Sequence, residues 1–222
     1  MQRLVQGLHH FQNQIFSSHK ELFERLENGQ SPETLFITCS DSRIDPNLIT
    51  QTGPGELFIL RNVGNLVARY DEHVGSTAAA IEFAVAALKV REIIVCGHSN
   101  CGAMQAVLDP ASIDGLPAMK AWMAHAAETG RIVRENYAHL EGEDRFTATV
   151  EENVLVQLEN LRTHPSVAAA IERGALRLHG WVYKIQTGEV FGYDAAQAQF
   201  TALSDAGVAP LDEAHRSSDL SI

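Results

Sequence analysis

Cysteine is scarce in this sequence, and so are basic residues and long apolar runs. Only 3 of the 222 residues are cysteine, too few for the disulfide framework of a small secreted domain. Lysine and arginine number 17 against 28 aspartates and glutamates, and the net charge of -11 argues against nucleic acid as the main partner. No apolar run reaches the roughly 18 residues that a membrane span needs, and residues 1–13 lack the apolar core of a secretory signal. We therefore expect a cytoplasmic protein whose cysteines serve as metal ligands or nucleophiles.

Strands and helices alternate along the chain. Strand patterns cover residues 34–38, 56–61 and 92–97, and the last of these is apolar on both faces, which is typical of a central parallel strand. Helical patterns cover residues 4–26, 76–89, 117–137 and 144–161. Residues 176–185 and 189–193 predict a hairpin that turns at Thr187-Gly188. The sequence predicts an α/β fold: a single domain with a central, mostly parallel sheet flanked by helices and an antiparallel hairpin at its C-terminal edge.

The chain divides into three predicted segments. Residues 1–30 are expected to form an N-terminal helical arm, and residues 31–203 the α/β domain. Residues 204–222 are small, polar and acidic, which predicts a flexible tail. Within the domain, the helix over 76–89 is apolar almost all round, so we expect it to be buried in the core or against a second subunit.

Two polar segments follow predicted strands directly. Cys39-Ser40-Asp41-Ser42-Arg43 follows the first strand, and Gly97-His98-Ser99-Asn100-Cys101-Gly102 follows the central one. Open α/β sheets place their sites at the carboxyl ends of strands, so the two segments are expected to meet. Cys39, His98 and Cys101 would then supply two sulfurs and one nitrogen, a ligand set of catalytic zinc sites that leaves the fourth position to water or substrate.

The charges around this ligand set suggest how it works. Two thiolates neutralise the zinc dication, so we expect the pKa of a bound water to lie above the value of about 7 known for an all-histidine site, and activity to rise on the alkaline side of neutrality. Asp41 either ligates zinc itself and closes the site, or pairs with Arg43 and leaves the site open. Paired in this way, Asp41 can accept the hydrogen of a zinc-bound hydroxide and orient it. A purely structural ion pair between Asp41 and Arg43 is the alternative.

The pattern Cys-x-Asp-x-Arg, followed after an apolar strand by His-x-x-Cys-Gly, resembles the β-class carbonic anhydrases. Similar stretches continue outside these motifs, over residues 30–32, 55–58, 61–66 and 179–183, so that the resemblance covers roughly residues 1–195. It implies a zinc enzyme that interconverts carbon dioxide and bicarbonate, with one zinc per chain, built as a homodimer or a dimer-based higher oligomer. Residues 139–144 and the opening segment are similar to carboxysomal members from cyanobacteria, which leaves a carboxysomal location open beside the cytoplasmic one.

The resemblance also implies roles for individual residues. Cys39, His98 and Cys101 match the zinc ligands, and Asp41 and Arg43 match the catalytic pair. Gln30 matches a glutamine that hydrogen-bonds the substrate in the plant-like branch, and Gly102 offers a backbone N–H beside the metal. Apolar residues match the wall of the substrate pocket, part of which the family takes from the partner chain: Phe58, Val63 and Phe83. Phe83 departs from the plant relatives, which carry tyrosine there.

Other readings of the same residues remain. Gln30 would otherwise be a solvated loop amide, and Phe58, Val63 and Phe83 would be ordinary core residues. Cys96 is expected to be a small core hydrophobe. A cysteine-nucleophile phosphatase or sulfurtransferase would need an anion-binding loop that ends in arginine; none follows Cys101, and the one after Cys39 is too short and holds Asp41. A structural zinc would need Asp41 as a permanent fourth ligand. Hydrolysis of carbonyl sulfide or carbon disulfide would use the same attack chemistry.

Overall fold

The computed structural model describes residues 1–71 and 75–203. The predicted flexible tail, 204–222, lies outside the described residues. By its internal contacts the chain forms two compact units, Met1–Ser31 and Pro32–Ile222. Among the described residues, no helix combines the length and the apolar character that crossing a membrane requires.

The first unit is helical, as its apolar spacing predicts, but it is not one continuous helix. A π-helical turn at Phe11–Ile15 and a break at His19 divide it. Its α-helices are α1 (Gln2–His10), α2 (Phe16–Ser18) and α3 (Lys20–Glu27). None of its helical residues is buried, and Leu4 and Leu8 are 68% and 61% exposed. The three phenylalanine rings at positions 11, 16 and 23 contact one another.

The second unit is built on a six-stranded sheet in the order β2-β1-β3-β4-β5-β6. Its strands are β1 (Thr34–Cys39), β2 (Leu57–Asn62), β3 (Glu92–His98), β4 (Arg177–Tyr183), β5 (Val190–Asp194) and β6 (Gln199–Ala202). The first four strands pair in parallel, and β4, β5 and β6 pair antiparallel. The predicted fold class and hairpin are confirmed. β6 was not predicted, because four residues are too few to show a clear alternating pattern.

Helices surround this sheet. They are α4 (Pro46–Thr50), α5 (Ser76–Glu82), α6 (Gly102–Leu108), α7 (Pro117–Trp122), α8 (Ala127–Asn136), α9 (Gly142–Arg162) and α10 (Pro165–Glu172). Short 3-10 segments lie at Val63–Asn65, Pro110–Ile113 and Met123–Ala126. The helix predicted over 76–89 continues past α5 as a π-helical segment, Phe83–Ala87. It buries Ile81, Ala84 and Val85, while Phe83 is 48% exposed in the single chain.

The core lies between the sheet and α9. Leu35, Ile37, Ile93 and Val95 are fully buried on one face, in the same cluster as residues of α9. Glycines in the strands let the helix approach: a Cβ at Gly180 would lie 2.8 Å from Val154 Cγ1 and 3.2 Å from Leu158 Cδ1. On the other face, Cys96 packs with Phe36 and Ile94, as expected for a core residue. Burial raises the pKa of its thiol to about 12.

This close packing makes Gly180 sensitive to one added methyl group. We expect Gly180→Ala to lower the free energy of unfolding by about 1–3 kcal/mol, because the branched side chain of Val154 has little freedom to move away. Gly115→Ala is the matched control, since a Cβ there meets nothing within 4 Å. Urea unfolding midpoints at equal protein concentration measure both changes. A Gly180→Ala midpoint at or above that of Gly115→Ala would contradict this account of the packing.

Candidate active site

The ends of β1 and β3 bring the predicted metal ligands together. Cys39 is the last residue of β1 and His98 the last of β3, and these strands are parallel neighbours. Cys101 immediately precedes α6. The two Sγ atoms and a ring nitrogen of His98 lie within 4.8 Å of one another, and all three residues are buried. In the sheet, β2 lies beside β1 and β4 lies beside β3, so the connections that follow β1 and β3 run in opposite directions along the strand order. Open α/β sheets form their binding crevices at such a switch point.

The imidazole of His98 is held in one orientation. Its Nδ1 donates to the carbonyl of Ser99 at 2.8 Å, which leaves Nε2 with a free lone pair. Ser99 is anchored in turn, because its hydroxyl donates to Gln186 Oε1 at 2.7 Å and accepts from the Ile185 amide at 2.9 Å. Nε2 of His98 is buried and has no hydrogen-bond partner in the described part of the chain. A buried nitrogen with a free lone pair is what a metal ligand requires.

Asp41 and Arg43 form a two-pronged pair beside this cluster. Asp41 Oδ1 accepts from the backbone N–H and Nε of Arg43 at 3.0 and 2.9 Å, and Oδ2 accepts from Nη2 at 2.6 Å. Arg43 Nη2 also donates to the Asn100 carbonyl at 3.0 Å, which ties the two site segments together. Asn100 has φ +56, a left-handed conformation that asparagine adopts more readily than most residues. Asp41 Oδ2 is 3.8 Å from His98 Nε2, so it borders the ligand group without joining it.

Hydrogen bonding shifts the acidities of the site. The side-chain hydrogen bonds from Arg43 hold the pKa of Asp41 well below its usual range, so this carboxylate stays ionised. A hydrogen bond from the Cys101 thiol lowers the pKa of Cys39, and the same bond, together with burial, raises the pKa of Cys101. A divalent cation between the two sulfurs would bind both of them as thiolates.

Two further residues support the site in ways that the sequence alone did not indicate. Arg61, on β2, donates through Nε to the Cys39 carbonyl at 3.1 Å and through Nη2 to the Asp41 carbonyl at 2.7 Å. The Gly64 amide donates to Cys39 Sγ at 3.4 Å. Both lie within residues 61–66, a stretch that carries the family resemblance, but a backbone hydrogen bond has no sequence signature of its own.

The ligand cluster matches the needs of zinc. Zinc in proteins takes sulfur at about 2.3 Å and nitrogen at about 2.0–2.1 Å in a tetrahedral arrangement, and the separations here are close to what one such ion can bridge. Two thiols and one imidazole with an unused lone pair favour zinc over magnesium or calcium, which prefer oxygen ligands. A zinc held by these three residues alone would have one position open, the arrangement of catalytic rather than structural zinc sites.

The residues predicted to line a substrate pocket do not all lie beside the ligand cluster of their own chain. Val63 directly precedes Gly64, next to Cys39, and is 39% exposed. Gly102 follows Cys101, is exposed, and has open space where a side chain would stand. Phe58 and Phe83 contact each other, with ring centroids 5.9 Å apart. Phe58 pairs with Leu35, four residues before Cys39, which puts it about 13 Å along the strand from the ligand cluster of its own chain. Gln30 is exposed and belongs to the first compact unit.

Comparison with known proteins identifies the family. The carbonic anhydrase family model matches residues 34–190. A carbonic anhydrase from Synechocystis is 50% identical over 203 residues, which are 91% of this chain and 74% of that protein. One from Pseudomonas aeruginosa is 45% identical over 205 residues, 92% of this chain and 93% of that protein.

Solved structures agree with this identification. The β-carbonic anhydrase CcaA has a TM-score of 0.89 at 50% identity, covering 91% of this chain and 99% of that one. A tetrameric β-carbonic anhydrase from the ascomycete Sordaria macrospora has a TM-score of 0.79 at 27% identity, covering 91% and 98%. With the fold, the ligand cluster and the family match in agreement, this chain belongs to the β-class carbonic anhydrases.

Proposed function

We propose that the protein catalyses the reversible hydration of carbon dioxide to bicarbonate and a proton, with one zinc ion per chain held by Cys39, His98 and Cys101. The observation that carries the proposal is the buried cluster of two sulfurs and an unpartnered imidazole nitrogen. Asp41 stands beside this cluster with both oxygens engaged by Arg43. The family match supports carbon dioxide as the substrate.

Zinc held by Cys39, His98 and Cys101 would supply a Lewis acid that lowers the pKa of a bound water toward neutrality, and with it the nucleophile for carbon dioxide. The residues around it orient the reactants. Asp41, kept ionised by Arg43, is the acceptor that fixes the direction of the attacking oxygen. Arg43 keeps the carboxylate away from the fourth ligand position. We also propose that the Gly102 N–H and the Gln30 amide bind the substrate, and that Val63, Phe58 and Phe83 form its apolar wall.

Metal content and turnover together test this proposal. We expect one zinc per chain in the purified protein and rapid carbon dioxide hydration in stopped flow. Cys39→Ser and Cys101→Ser remove a thiolate ligand and should lose both the zinc and the turnover. Cys96→Ala is the matched control: Cys96 is a buried core residue outside the cluster, so this variant should keep its zinc.

Two results would reject the proposal. One is active wild-type protein that contains well under one zinc per chain and no iron or cobalt in its place. The other is zinc-loaded protein that hydrolyses carbonyl sulfide or carbon disulfide and does not hydrate carbon dioxide.

The roles of Asp41 and Arg43 can be separated by their variants. Asp41→Asn should retain zinc and lose about a hundredfold or more in turnover, because an amide is a poorer acceptor and a poorer partner for Arg43. Arg43→Ala releases a carboxylate that already lies 3.8 Å from His98 Nε2, so it competes for the fourth ligand position. Its activity should be low at neutral pH and recover in part at alkaline pH, as hydroxide displaces the carboxylate.

The measurement is a pH–rate profile for each variant beside its zinc content. Arg131→Ala removes an exposed arginine that pairs with Glu128 and Glu135 on α8, and it should leave the profile unchanged. Wild-type turnover in Asp41→Asn at full zinc occupancy would reduce Asp41 to a structural partner of Arg43.

We further propose that the enzyme works as a homodimer or a dimer-based oligomer. In a single chain, Phe58 stands too far along β2 to reach its own ligand cluster, and Phe83 is left half exposed beside it. Both side chains are therefore available to complete the pocket of a second copy. The first unit also exposes the apolar side chains of Leu4 and Leu8, which a partner subunit can cover.

Sedimentation velocity tests the assembly. At micromolar concentration we expect the wild type to sediment as a dimer or larger, and Leu8→Glu to shift toward smaller species, because it puts a charge on the apolar face of α1. Gln6→Glu adds the same charge at an exposed polar position of the same helix and should leave the assembly intact. A stable wild-type monomer with full activity would overturn the proposal.

The state of the cysteines bears on location. All three are free, which suits a reducing compartment. We propose the cytoplasm, with a carboxysome as the alternative that the resemblance leaves open.

A further inference from the structure

An irregular, buried segment connects β2 to the rest of the domain. From Gly64 to Val67 the chain is buried, with Leu66 and Val67 fully so, yet it belongs to no sheet and its 3-10 turn ends at Asn65. Buried backbone N–H and C=O groups without partners are strongly destabilising. Side chains from elsewhere must therefore supply the hydrogen bonds.

Three buried polar side chains of α9 supply several of these bonds. Asn153 Nδ2 donates to the Gly64 carbonyl at 3.1 Å, Gln157 Oε1 accepts from the Val67 amide at 2.8 Å, and Asn160 Nδ2 donates to the Val67 carbonyl at 2.9 Å. Their spacing of four and three residues puts them on one face of the helix. All three side chains are buried, with exposures of 1%, 0% and 6%, so they depend on these hydrogen bonds rather than on solvent.

The orientation of the Asn153 amide is determined by its neighbours. Its Oδ1 accepts from Gln157 Nε2 at 3.0 Å and from Thr129 Oγ1 at 3.2 Å. The Nδ2 group therefore has to face the Gly64 carbonyl, because a flipped amide would place the Nδ2 donor against the Nε2 donor of Gln157.

Trp122 forms a hydrogen bond with the peptide unit between Val63 and Gly64. Its Nε1 donates to the Val63 carbonyl at 2.8 Å, and the N–H of that same peptide unit, carried by Gly64, donates to Cys39 Sγ at 3.4 Å. The indole ring is itself packed edge-on against His125, with centroids 5.0 Å apart. A donor on the carbonyl side fixes the plane of the peptide and polarises its N–H toward the sulfur.

The hydrogen bonds from Trp122 and Asn153 lie on either side of Gly64. Gly64 has φ +79, and a Cβ there would lie 2.8 Å from Ala103 Cβ, so the backbone at this point approaches the start of α6 as closely as glycine permits. Trp122 and Asn153 hold the peptide units on its two sides. Neither side chain has a hydrogen bond with a metal ligand of its own among those the structure describes.

We infer that Trp122 and Asn153 are positioning residues of the metal site, acting through the backbone of Gly64 to direct its N–H at Cys39 Sγ. The inference rests on the proposed function, since it takes Cys39 as a metal ligand. A hydrogen bond to a thiolate draws negative charge away from the sulfur and tunes the metal that it binds. The same hydrogen bond from Trp122 also fixes the backbone of Val63, which we propose as part of the apolar wall of the substrate pocket.

Cobalt-substituted protein tests the inference without relying on activity. A hydrogen bond stabilises the sulfur lone pairs, so its loss lowers the energy of thiolate-to-cobalt charge transfer. Trp122→Phe keeps an aromatic ring and removes the N–H, and we expect its charge-transfer band to move to longer wavelength. Asn153→Leu should move the band in the same direction, and it decides the question if Trp122→Phe does not fold.

Asn160→Leu is the control for lost stability. It also removes a buried amide that donates to the backbone of the same segment, but at Val67, away from the peptide that faces Cys39. We expect its melting temperature to fall and its charge-transfer band to stay where the wild-type band is. A band shift in Trp122→Phe, or in the substitute variant, with none in Asn160→Leu supports the inference.

Two contrary results are distinguishable. An unmoved band in the test variant, or an equal shift in Asn160→Leu, overturns the positioning role of Trp122 and Asn153. Absence of any thiolate-to-cobalt band in the wild type instead overturns the proposed metal site on which the inference rests.

Discussion

β1 and β3 lie side by side in parallel, with Thr34 opposite Glu92 and Thr38 opposite Cys96, and every feature of the site depends on that pairing. Parallel strands end at the same edge of a sheet, so Cys39 and His98, 59 positions apart by their numbers, finish next to each other. The turn after β3 then needs only three more residues to bring in Cys101.

The site is assembled largely by backbone hydrogen bonds from charged and polar side chains. Arg43 and Arg61 both donate to main-chain carbonyls of the ligand-bearing segments, in addition to the pair that Arg43 forms with Asp41. Because an arginine presents several donors in a fixed plane, one side chain can hold two segments at once. This explains how loops that emerge from separate strands keep the fixed distances that metal chemistry needs.

Buried polar residues on α9 have a corresponding role on the far side of Cys39. Asn153, Gln157 and Asn160 sit where a simple core helix would carry leucine or valine, and they replace the secondary structure that the segment after β2 lacks. An amide in this position would be costly without partners, so its partners must form as the helix docks. The helix thereby connects the packing of the core to the geometry around the proposed metal ligands.

Local sequence patterns indicated the first three strands and the ligand cluster, but not the elements that are short or depend on packing. Apolar runs bounded by turn residues predicted β1, β2 and β3 to within a residue, and the paired cysteine and histidine motifs at strand ends predicted the cluster, because strand patterns and ligand chemistry are both local. The same reasoning missed β6, α10 and the breaks in the N-terminal helix, which are short or depend on what packs against them.

Residue type alone identified Asp41 and Arg43 as candidates and left a metal-bound Asp41 and an Asp41–Arg43 pair as alternatives, whereas the folded chain shows the two side chains hydrogen-bonded to each other. Gly64, Trp122 and Asn153 were beyond the reach of the sequence for a physical reason. A hydrogen bond to a backbone group between residues 59 or 89 positions apart leaves no pattern in either residue until the fold brings them together.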